Sequence, residues 1–307
     1  MAIHRESKRT YVVTAATGRI GNRVARGLLA AGHDVRAVGR DPARLAPLAA
    51  LGAEPRVGMI EDQAFIERCF AGADAAYLVV SADHMARDFR RAFADIGHNF
   101  ARAAETCGLG SALFISTIGT HDDRYRGFIM THGDVEQILD GAKGVNMLHL
   151  RAPAFFENLL YYLPGTLARG ALATPIDPDA AFDMASTADI AAVALRHLLA
   201  LDFAGSSALE IHGREVLAMR RIAELIAQEL GRPFGVEHID RDADIEEMVT
   251  AGMHRDFSTL MNDTWATFSR FGVLRAPQPQ RWESAVTPME HFLRDTFVPA
   301  LKTELAA

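Results

Sequence analysis

The sequence predicts an α/β fold, a doubly wound parallel sheet with a smaller, mostly C-terminal α+β lobe. Three observations indicate it. Strand-like and helix-like segments alternate up to Arg151, a short glycine-containing turn joins the first strand to the first helix, and the alternation stops at an aromatic stretch, Ala152 to Leu163. Strands that alternate with helices pair in parallel, and their crossovers are right-handed. A Rossmann-like sheet is therefore expected in the first half of the chain.

The first strand and helix illustrate how each element is predicted. Tyr11 to Thr14 is an apolar run with β-branched residues, and apolar residues then recur at helical spacing from Ile20 until Gly32 ends the helix. The same patterns recur along the chain. The expected strands are 10–15, 34–39, 53–58, 75–80, 112–117 and 145–151, and the expected helices are 19–31, 42–51, 62–70, 85–107 and 132–141.

The pattern beyond Arg151 predicts the second lobe, because prolines and glycines interrupt the chain there. The expected elements are a helix at 187–201 capped by Ser186 or Thr187, a strand at 207–212, a helix at 218–230 and a strand at 234–239. We expect a domain of residues 1–155, to which residues 183–201 return. The smaller lobe, residues 156–307, is expected to cover the carboxyl ends of the sheet.

The composition is that of an ordinary globular chain of 307 residues, with 49% hydrophobic and 23% charged residues. A net charge of −7 without a basic stripe argues against nucleic acid as a partner. Residues 1–9 are polar and unlike a signal peptide, and no apolar run has transmembrane length, so we expect a cytoplasmic protein without a membrane partner. Cys69 and Cys107 are interpreted as buried small residues, and no metal site is expected.

The turn between the first strand and the first helix has the features of a phosphate site. A helix N-terminus offers unpaired N–H groups and a positive dipole end to a pyrophosphate. Gly18 allows the backbone to approach the phosphates and Gly21 allows the helix to pack close to the strand, although Ala15 replaces the first glycine of the usual fingerprint. The residues expected to bind a dinucleotide here are Thr14, Ala16, Thr17, Gly18, Arg19, Ile20 and Gly21.

Arg40, at the end of the second strand, bears on which dinucleotide binds. The position lies about 20 residues past the turn, where such a site reads the adenosine ribose. A carboxylate there would bind the 2′-hydroxyl of NAD, whereas Arg40 with Arg19 beside it suits the 2′-phosphate of NADP. Charge-assisted hydrogen bonds are worth about 1.5–3 kcal/mol each. The sequence therefore predicts NADP, with NAD as the alternative if both arginines are only solvated surface residues.

The rest of the ligand is expected outside the carboxyl ends of the middle strands. The adenine is expected near Met59 and Ile60, at the end of the third strand. The residues expected around the nicotinamide are Val80, Ser81, Ser116, Thr117, Phe155, Phe156 and Asn158. Most of these residues also have a purely structural interpretation. Ser116 and Thr117 could satisfy hydrogen bonds at the strand end, Asn158 could cap a turn, and Phe155 and Phe156 could pack between the lobes.

Several segments together resemble the NmrA-like family of atypical short-chain dehydrogenase/reductases, over roughly residues 10–240. The resemblance is carried by Val13–Gly21, Arg40–Leu45, Gly72-Ala73-Asp74, Ile115-Ser116-Thr117, Leu150-Arg151, Phe155–Leu159, Thr187–Ala191 and Glu229–Pro233. It implies an NAD(P)-binding domain and a small substrate lobe. Members of the family include NADPH-dependent quinone and triphenylmethane-dye reductases, and redox-sensing regulators that bind the dinucleotide without turnover.

The resemblance also exposes a departure at the catalytic positions. Typical members of the wider superfamily use a tyrosine as proton donor and a lysine four residues later, which holds the ribose. Here these positions fall on Phe128 and His132. His132 is a candidate to bind the ribose or to act as the acid, unless it is only a histidine in the first turn of a helix. Ser116 and Tyr125, the latter in the loop from Gly119 to Gly127, are the other catalytic candidates.

Two functions from different classes remain open. The first is an NADPH-dependent oxidoreductase acting on a quinone, dye or other conjugated acceptor, because such acceptors take hydride without a strong general acid and the aromatic segment 155–162 offers walls for a small-molecule pocket. The second is a redox sensor that acts through a protein partner, which the missing tyrosine and lysine favour. An isomerase or epimerase is disfavoured by the same absence. The expected partner is an aromatic or quinone-like small molecule, and a homodimer is left open.

Overall fold

The computed structural model of the protein describes residues 8–306. The expectation of a polar segment at 1–9 therefore lies mostly outside the described residues. The strands are β1 Thr10–Val13, β2 Asp34–Gly39, β3 Glu54–Val57, β4 Ala75–Leu78, β5 Ser111–Thr117, β6 Asn146–Ala152, β7 Ala154–Phe155, β8 Leu172–Thr174, β9 Ala181–Ala185, β10 Ser206–His212, β11 Val216–Ala218, β12 Val236–His238 and β13 Trp282–Ser284.

The helices alternate with these strands in the first half of the chain and dominate the second. They are α1 Arg19–Ala30, α2 Pro42–Ala49, α3 Gln63–Phe70, α4 Phe89–Cys107, α5 Phe128–Asp140, α6 Leu163–Arg169, α7 Thr187–Ala200, α8 Met219–Leu230, α9 Arg241–Thr250, α10 Arg255–Phe271, α11 Met289–Phe292 and α12 Val298–Ala306. A 3₁₀ segment spans Phe156–Tyr162 and a π-helical segment spans Leu293–Phe297. No described helix is long and apolar enough to cross a membrane.

The main sheet has eight strands in the order β13-β10-β6-β5-β4-β1-β2-β3, and all its pairs are parallel. The strand order reverses between β1 and β4. In open α/β sheets a ligand binds at such a switch point, outside the carboxyl ends of the strands. The predicted doubly wound α/β fold is therefore confirmed, and the expected dinucleotide site falls at the reversal.

Two strands from the second half of the chain, β10 and β13, extend this sheet beyond β6. They belong to the residues that the sequence assigned to the smaller lobe. Their inward side chains, among them Leu209 and Ile211, complete the apolar layer under α1 and α7. The sequence of a strand does not itself indicate which sheet the strand joins, because its pairing partners lie far away along the chain.

Helices cover both faces of the sheet. One apolar cluster lies under α1, α2 and α7, and a second lies under α3, α4 and α5. A third cluster forms the core of the smaller lobe, between α8, α10 and the C-terminal helices. Helix α7 begins at Thr187, and its N-cap is Ser186, whose hydroxyl accepts from Ala188 N–H. The buried Glu157 carboxylate also holds its start by accepting from Thr187 N–H.

Helix α5 begins at Phe128, four residues before the predicted start. Its N-cap is Gly127, with φ +72°, and Phe128 N–H donates to Thr264 Oγ1 on α10 at 2.8 Å. The cap comes from a distant helix, so no local signal marks the start. His132 consequently lies in the second turn of α5, and its expected place in the first turn is wrong.

Candidate functional site

The turn from β1 to α1 is held in an unusual backbone conformation. Ala15, at the first-glycine position of the fingerprint, has φ +47°, and its carbonyl accepts from Gly18 N–H at 2.9 Å. A Cβ on Gly21 would lie 3.0 Å from the Ala15 carbonyl carbon and closer still to its oxygen. Gly21 therefore allows α1 to start directly against the turn, as the sequence predicts.

The first N–H groups of α1 are available to a ligand. Gly18 is the N-cap and supplies no side-chain cap, and no acidic residue stands in the first turn. Helix N-termini of this kind attract anions through their unpaired amides and dipole. The side chains of Ala16 and Ile20 are buried, so Ile20 can offer only backbone groups. The Ala16 N–H already donates to Val38 O at 3.1 Å.

Thr14 fixes the turn to the neighbouring strand. Its N–H donates to Tyr77 O at 3.0 Å, and its Oγ1 accepts from Val79 N–H at 2.8 Å. Thr14 is fully buried. Thr14 was expected to bind the dinucleotide, but its hydroxyl joins β1 to the end of β4, and Thr14 positions the turn.

Positive charge flanks the turn on its β2 side. Arg19 and Arg40 are exposed, and neither guanidinium has an ion-pair partner among residues 8–306. Arg44, in the first turn of α2, reaches across to Thr17 O at 3.4 Å. The sequence did not single out Arg44. The N-cap at Asp41, which accepts from Ala43 N–H, is the local signal that places Arg44 in that first turn.

The residues expected near the adenine and at the end of β4 differ in exposure. Met59 is exposed after β3, whereas Ile60 packs on the core. Val80 is buried and Ser81 is exposed in the loop that follows β4. Met59 and Ser81 can therefore offer side chains to a ligand.

Ser116 is not presented as a free hydroxyl. It is buried at the end of β5, and its Oγ donates to Glu136 Oε1 on α5 at 2.5 Å. Thr117, the next residue, is half-buried at the carboxyl end of the strand. The catalytic assignment of Ser116 therefore conflicts with this geometry, because its proton is directed away from the strand end toward a carboxylate.

Glu136 organises a buried polar cluster that the sequence did not reveal. It accepts from Ser116, from Thr120 Oγ1 at 3.1 Å, and from Arg151 Nε and Nη2 at 3.0 and 2.6 Å. Burial opposes ionisation of this carboxyl, but the hydrogen bond from Arg151, nearby positive charge and the Ser116 hydrogen bond outweigh it and lower its pKa. The signal in the sequence was the pair of polar residues His149 and Arg151 among the apolar residues of β6.

His132 has a defined tautomer. Its Nδ1 lies 2.9 Å from Phe128 O, and a carbonyl can only accept, so Nδ1 carries the hydrogen and Nε2 is an acceptor. Burial lowers the pKa of His132, against smaller opposing effects of this hydrogen bond and of Glu136. The ring packs among Phe93, Phe114 and Phe128. A neutral imidazole suits the acceptance of a hydroxyl hydrogen and does not suit the role of proton donor.

Two further candidates lie in the core of the smaller lobe. Tyr125 is 8% exposed, its ring lies 5.1 Å from that of Phe271, and burial raises its pKa. Phe156 is 2% exposed and packs against Phe292. Tyr125 was expected as a proton donor and Phe156 at the nicotinamide, whereas both side chains fill the lobe core. The position of a residue in a loop or segment does not indicate where its side chain points.

Phe155 and Asn158 remain accessible at the junction of sheet and lobe. Phe155 is half-buried in β7, which pairs with β9 beside the end of β6. Asn158 is half-buried, and its side-chain amide has no hydrogen-bond partner within the part of the chain that the structure describes. An aromatic face and a free amide are groups that suit a nicotinamide ring and its carboxamide.

Comparison with known proteins agrees with this arrangement. The sequence model of the NmrA-like family matches residues 7–272. A reductase of (4-alkanoyl-5-oxo-2,5-dihydrofuran-3-yl)methyl phosphate from Streptomyces griseus is 29% identical over 232 residues, covering 76% of this chain and 78% of the relative.

Two solved structures share the fold. The NADPH complex of the quinone oxidoreductase QOR2 from Escherichia coli has a TM-score of 0.74 at 20% identity, covering 96% of this chain and 99% of that one. NmrA, a negative transcriptional regulator in complex with NADP, has a TM-score of 0.73 at 17% identity, covering 97% and 98%. NmrA has also been solved with NAD. The fold is thus shared by a reductase and a regulator, both with a nicotinamide cofactor.

Proposed function

The chain belongs to the NmrA-like family, and from that premise we propose that it is an oxidoreductase that uses NADPH to reduce a quinone, dye or other conjugated acceptor. The observation that carries the proposal is the open N-terminus of α1 at the strand reversal, flanked by unpaired arginines. Bare amides suit the diphosphate, and Arg19, Arg40 and Arg44 suit a 2′-phosphate.

The residues fit such a cofactor at its other end too. The acceptor Nε2 of His132 is suited to a ribose hydroxyl, Phe155 to the nicotinamide ring and Asn158 to its carboxamide. When bound, the cofactor supplies the hydride. The protein's task is then to hold ring and acceptor in contact and to exclude water. We assign these tasks to the domain of residues 1–155 with 183–201, completed by β10 and β13, and to the lobe built around the third apolar cluster.

The acceptor class follows from the missing proton donor. Phe128 stands where a tyrosine would donate, His132 is neutral, and the hydroxyl of Ser116 is bound to Glu136. A quinone that accepts hydride becomes a delocalised anion, which takes its proton afterwards from water. A cationic triphenylmethane dye that accepts hydride becomes neutral and needs no proton. Neither needs an acid in the hydride step, whereas a simple aldehyde becomes a localised alkoxide and does.

The same observation supports a second candidate. A site with no poised acid also suits a protein that binds the dinucleotide and signals its redox state to a partner, and the fold is shared with a transcriptional regulator. The two functions differ in turnover and share cofactor binding.

An NADPH-consumption assay across a quinone, a triphenylmethane dye, an azo dye and an aldehyde separates them. We expect oxidation of NADPH with at least one conjugated acceptor and none with the aldehyde, with the Arg40→Ser variant showing a raised KM for NADPH. Tight binding of NADPH without turnover of any acceptor would contradict the enzyme and favour the regulator. Turnover of the aldehyde alone would contradict the assignment of the acceptor class.

A further inference from the structure

A polar cavity, of about 280 Å³, lies away from the phosphate end of the dinucleotide site. It occupies the face of the sheet next to α5, over β6 and β10, under the segment 276–281. Three strand spacings separate β6 from β1, which at ~4.8 Å each place the cavity about 14 Å from the phosphate turn. The charged and titratable residues of its lining include Glu136, Asp140, His149, Arg151, Glu210 and Arg281.

Carboxylates outweigh free positive charge in this cavity. Glu210 is 1% exposed and receives only Ala276 N–H at 3.2 Å and His212 Nε2 at 3.0 Å, with no arginine or lysine ion pair among residues 8–306. Arg151 is its neighbour in register, yet its guanidinium is bound to Glu136. His212 is a counter-charge for Glu210 only when it is protonated. A buried carboxylate without an arginine or lysine partner is costly, which makes Glu210 an attractive site for a positive charge.

The second lining arginine is also committed elsewhere. Arg281 pairs with Asp202 at 3.0 Å, outside the cavity. Clefts lined by one sign of charge concentrate ions of the opposite sign. An anionic ligand would therefore meet Asp140 and Glu210 without a free guanidinium to compensate for them.

His149 adds an unpartnered ring nitrogen. The residue is 2% exposed, and its Nε2 lies 2.6 Å from Asp140 Oδ1. The Asp140 carboxylate can only accept, since its pKa is lowered despite burial by hydrogen bonds from His149 and Ser206. Nε2 therefore carries a hydrogen, and Nδ1 has no hydrogen-bond partner among the described residues. A polar atom of the buried cavity lining is thus left unsatisfied.

We propose that this cavity binds a small organic cation with several N–H donors, of the amidinium, guanidinium or primary ammonium class. Glu210 supplies the counter-charge, and Asp140 completes the negative wall. A metal ion fits less well, because no group of three metal-ligating side chains occurs in the part of the chain that the structure describes. The volume is just below that of drug-sized sites, so the ligand is small. The proposal is independent of the dinucleotide function.

Benzamidine and benzamide provide a matched pair of probes, because they share size and shape and differ in charge. Isothermal titration of the full-length protein, with and without saturating NADPH, is expected to give a benzamidine Kd at least about tenfold below that of benzamide. We expect Glu210→Gln to raise the benzamidine Kd by about tenfold or more, through loss of a charge-assisted contact. NADPH should not displace the probe.

Asp140→Asn is a second variant, at a partly exposed residue, and it serves if Glu210→Gln fails to fold. It should raise the benzamidine Kd about threefold or more. Glu304→Gln, on the exposed side of α12, is the control and should leave the Kd unchanged. Equal binding of benzamide, no binding of benzamidine, unchanged affinity in both cavity variants, or displacement by NADPH would each overturn the proposal. None of these results depends on whether the protein turns over an acceptor.

Discussion

Gly21→Ala is the substitution that most sharply tests the turn between β1 and α1. The added Cβ would lie 3.0 Å from the Ala15 carbonyl carbon and closer to its oxygen. That carbonyl cannot easily give way, because it accepts from Gly18 N–H at 2.9 Å and belongs to a residue with φ +47°. Either this hydrogen bond breaks, or the first turn of α1 moves outward.

The magnitude follows from these two routes. Overpacking of a tight contact costs about 1–3 kcal/mol of unfolding free energy, and loss of the turn hydrogen bond about 0.5–1.5 kcal/mol. Outward movement of α1 also withdraws its amides from the diphosphate. Weakening one charge-assisted hydrogen bond by about 1.5 kcal/mol raises the Kd for NADPH about tenfold.

Urea unfolding and fluorescence titration with NADPH measure the two effects separately. Gly235→Ala is the matched control, since no atom lies within 4 Å of the added Cβ, and both its stability and its Kd should stay unchanged. Gly18→Ala, with a milder 3.1 Å contact to Ala15 O, replaces Gly21→Ala if the latter fails to fold. A folded Gly21→Ala protein with the affinity of the parent would refute the reasoning.

Three further outcomes are expected. Arg40→Ser should raise the Kd for NADPH by about tenfold or more and leave the Kd for NADH unchanged, and the control Arg232→Ser should change neither. Parallel losses of affinity for both cofactors in titrations would contradict a 2′-phosphate contact. Ala15→Gly should raise the urea-derived unfolding free energy by about 0–1.6 kcal/mol. The left-handed conformation costs alanine about 1–2 kcal/mol, and glycine loses about 0.4–1 kcal/mol through the unfolded chain. A loss of stability would show that the strain is absent. The fold lowers the pKa of His132 below 6.5, so below pH 6.5 the unfolded chain binds more protons than the folded one, and the unfolding free energy falls as the pH drops. His132→Gln should flatten this decline when unfolding is measured as a function of pH. An unchanged slope would contradict the burial of a neutral imidazole.

The parts of the fold that the sequence predicted are those set by local patterns. The turn at Gly18 and Gly21, the Asp41 cap of α2 and the Ser186 cap of α7 are each fixed by residues within a few positions of one another. The sequence also showed that Ala15 replaces the first glycine of the fingerprint. In the structure its backbone adopts the left-handed conformation that glycine would favour there.

The parts that were missed depend on distant contacts. The start of α5 is set by Thr264, about 136 positions away, and the direction of Ser116 by Glu136 across the sheet–helix layer. Tyr125 and Phe156 were assigned to the site because their segments lie near it, whereas their side chains point into the lobe. Sequence position indicates which end of the sheet a residue approaches, and packing decides where the side chain points.

The most direct test of the dinucleotide site is a crystal structure of the protein with NADP. We expect the diphosphate oxygens within hydrogen-bond distance of the amides at the start of α1, and the 2′-phosphate beside Arg40. A nucleotide bound elsewhere, with the turn from Thr14 to Gly21 left empty, would contradict the account.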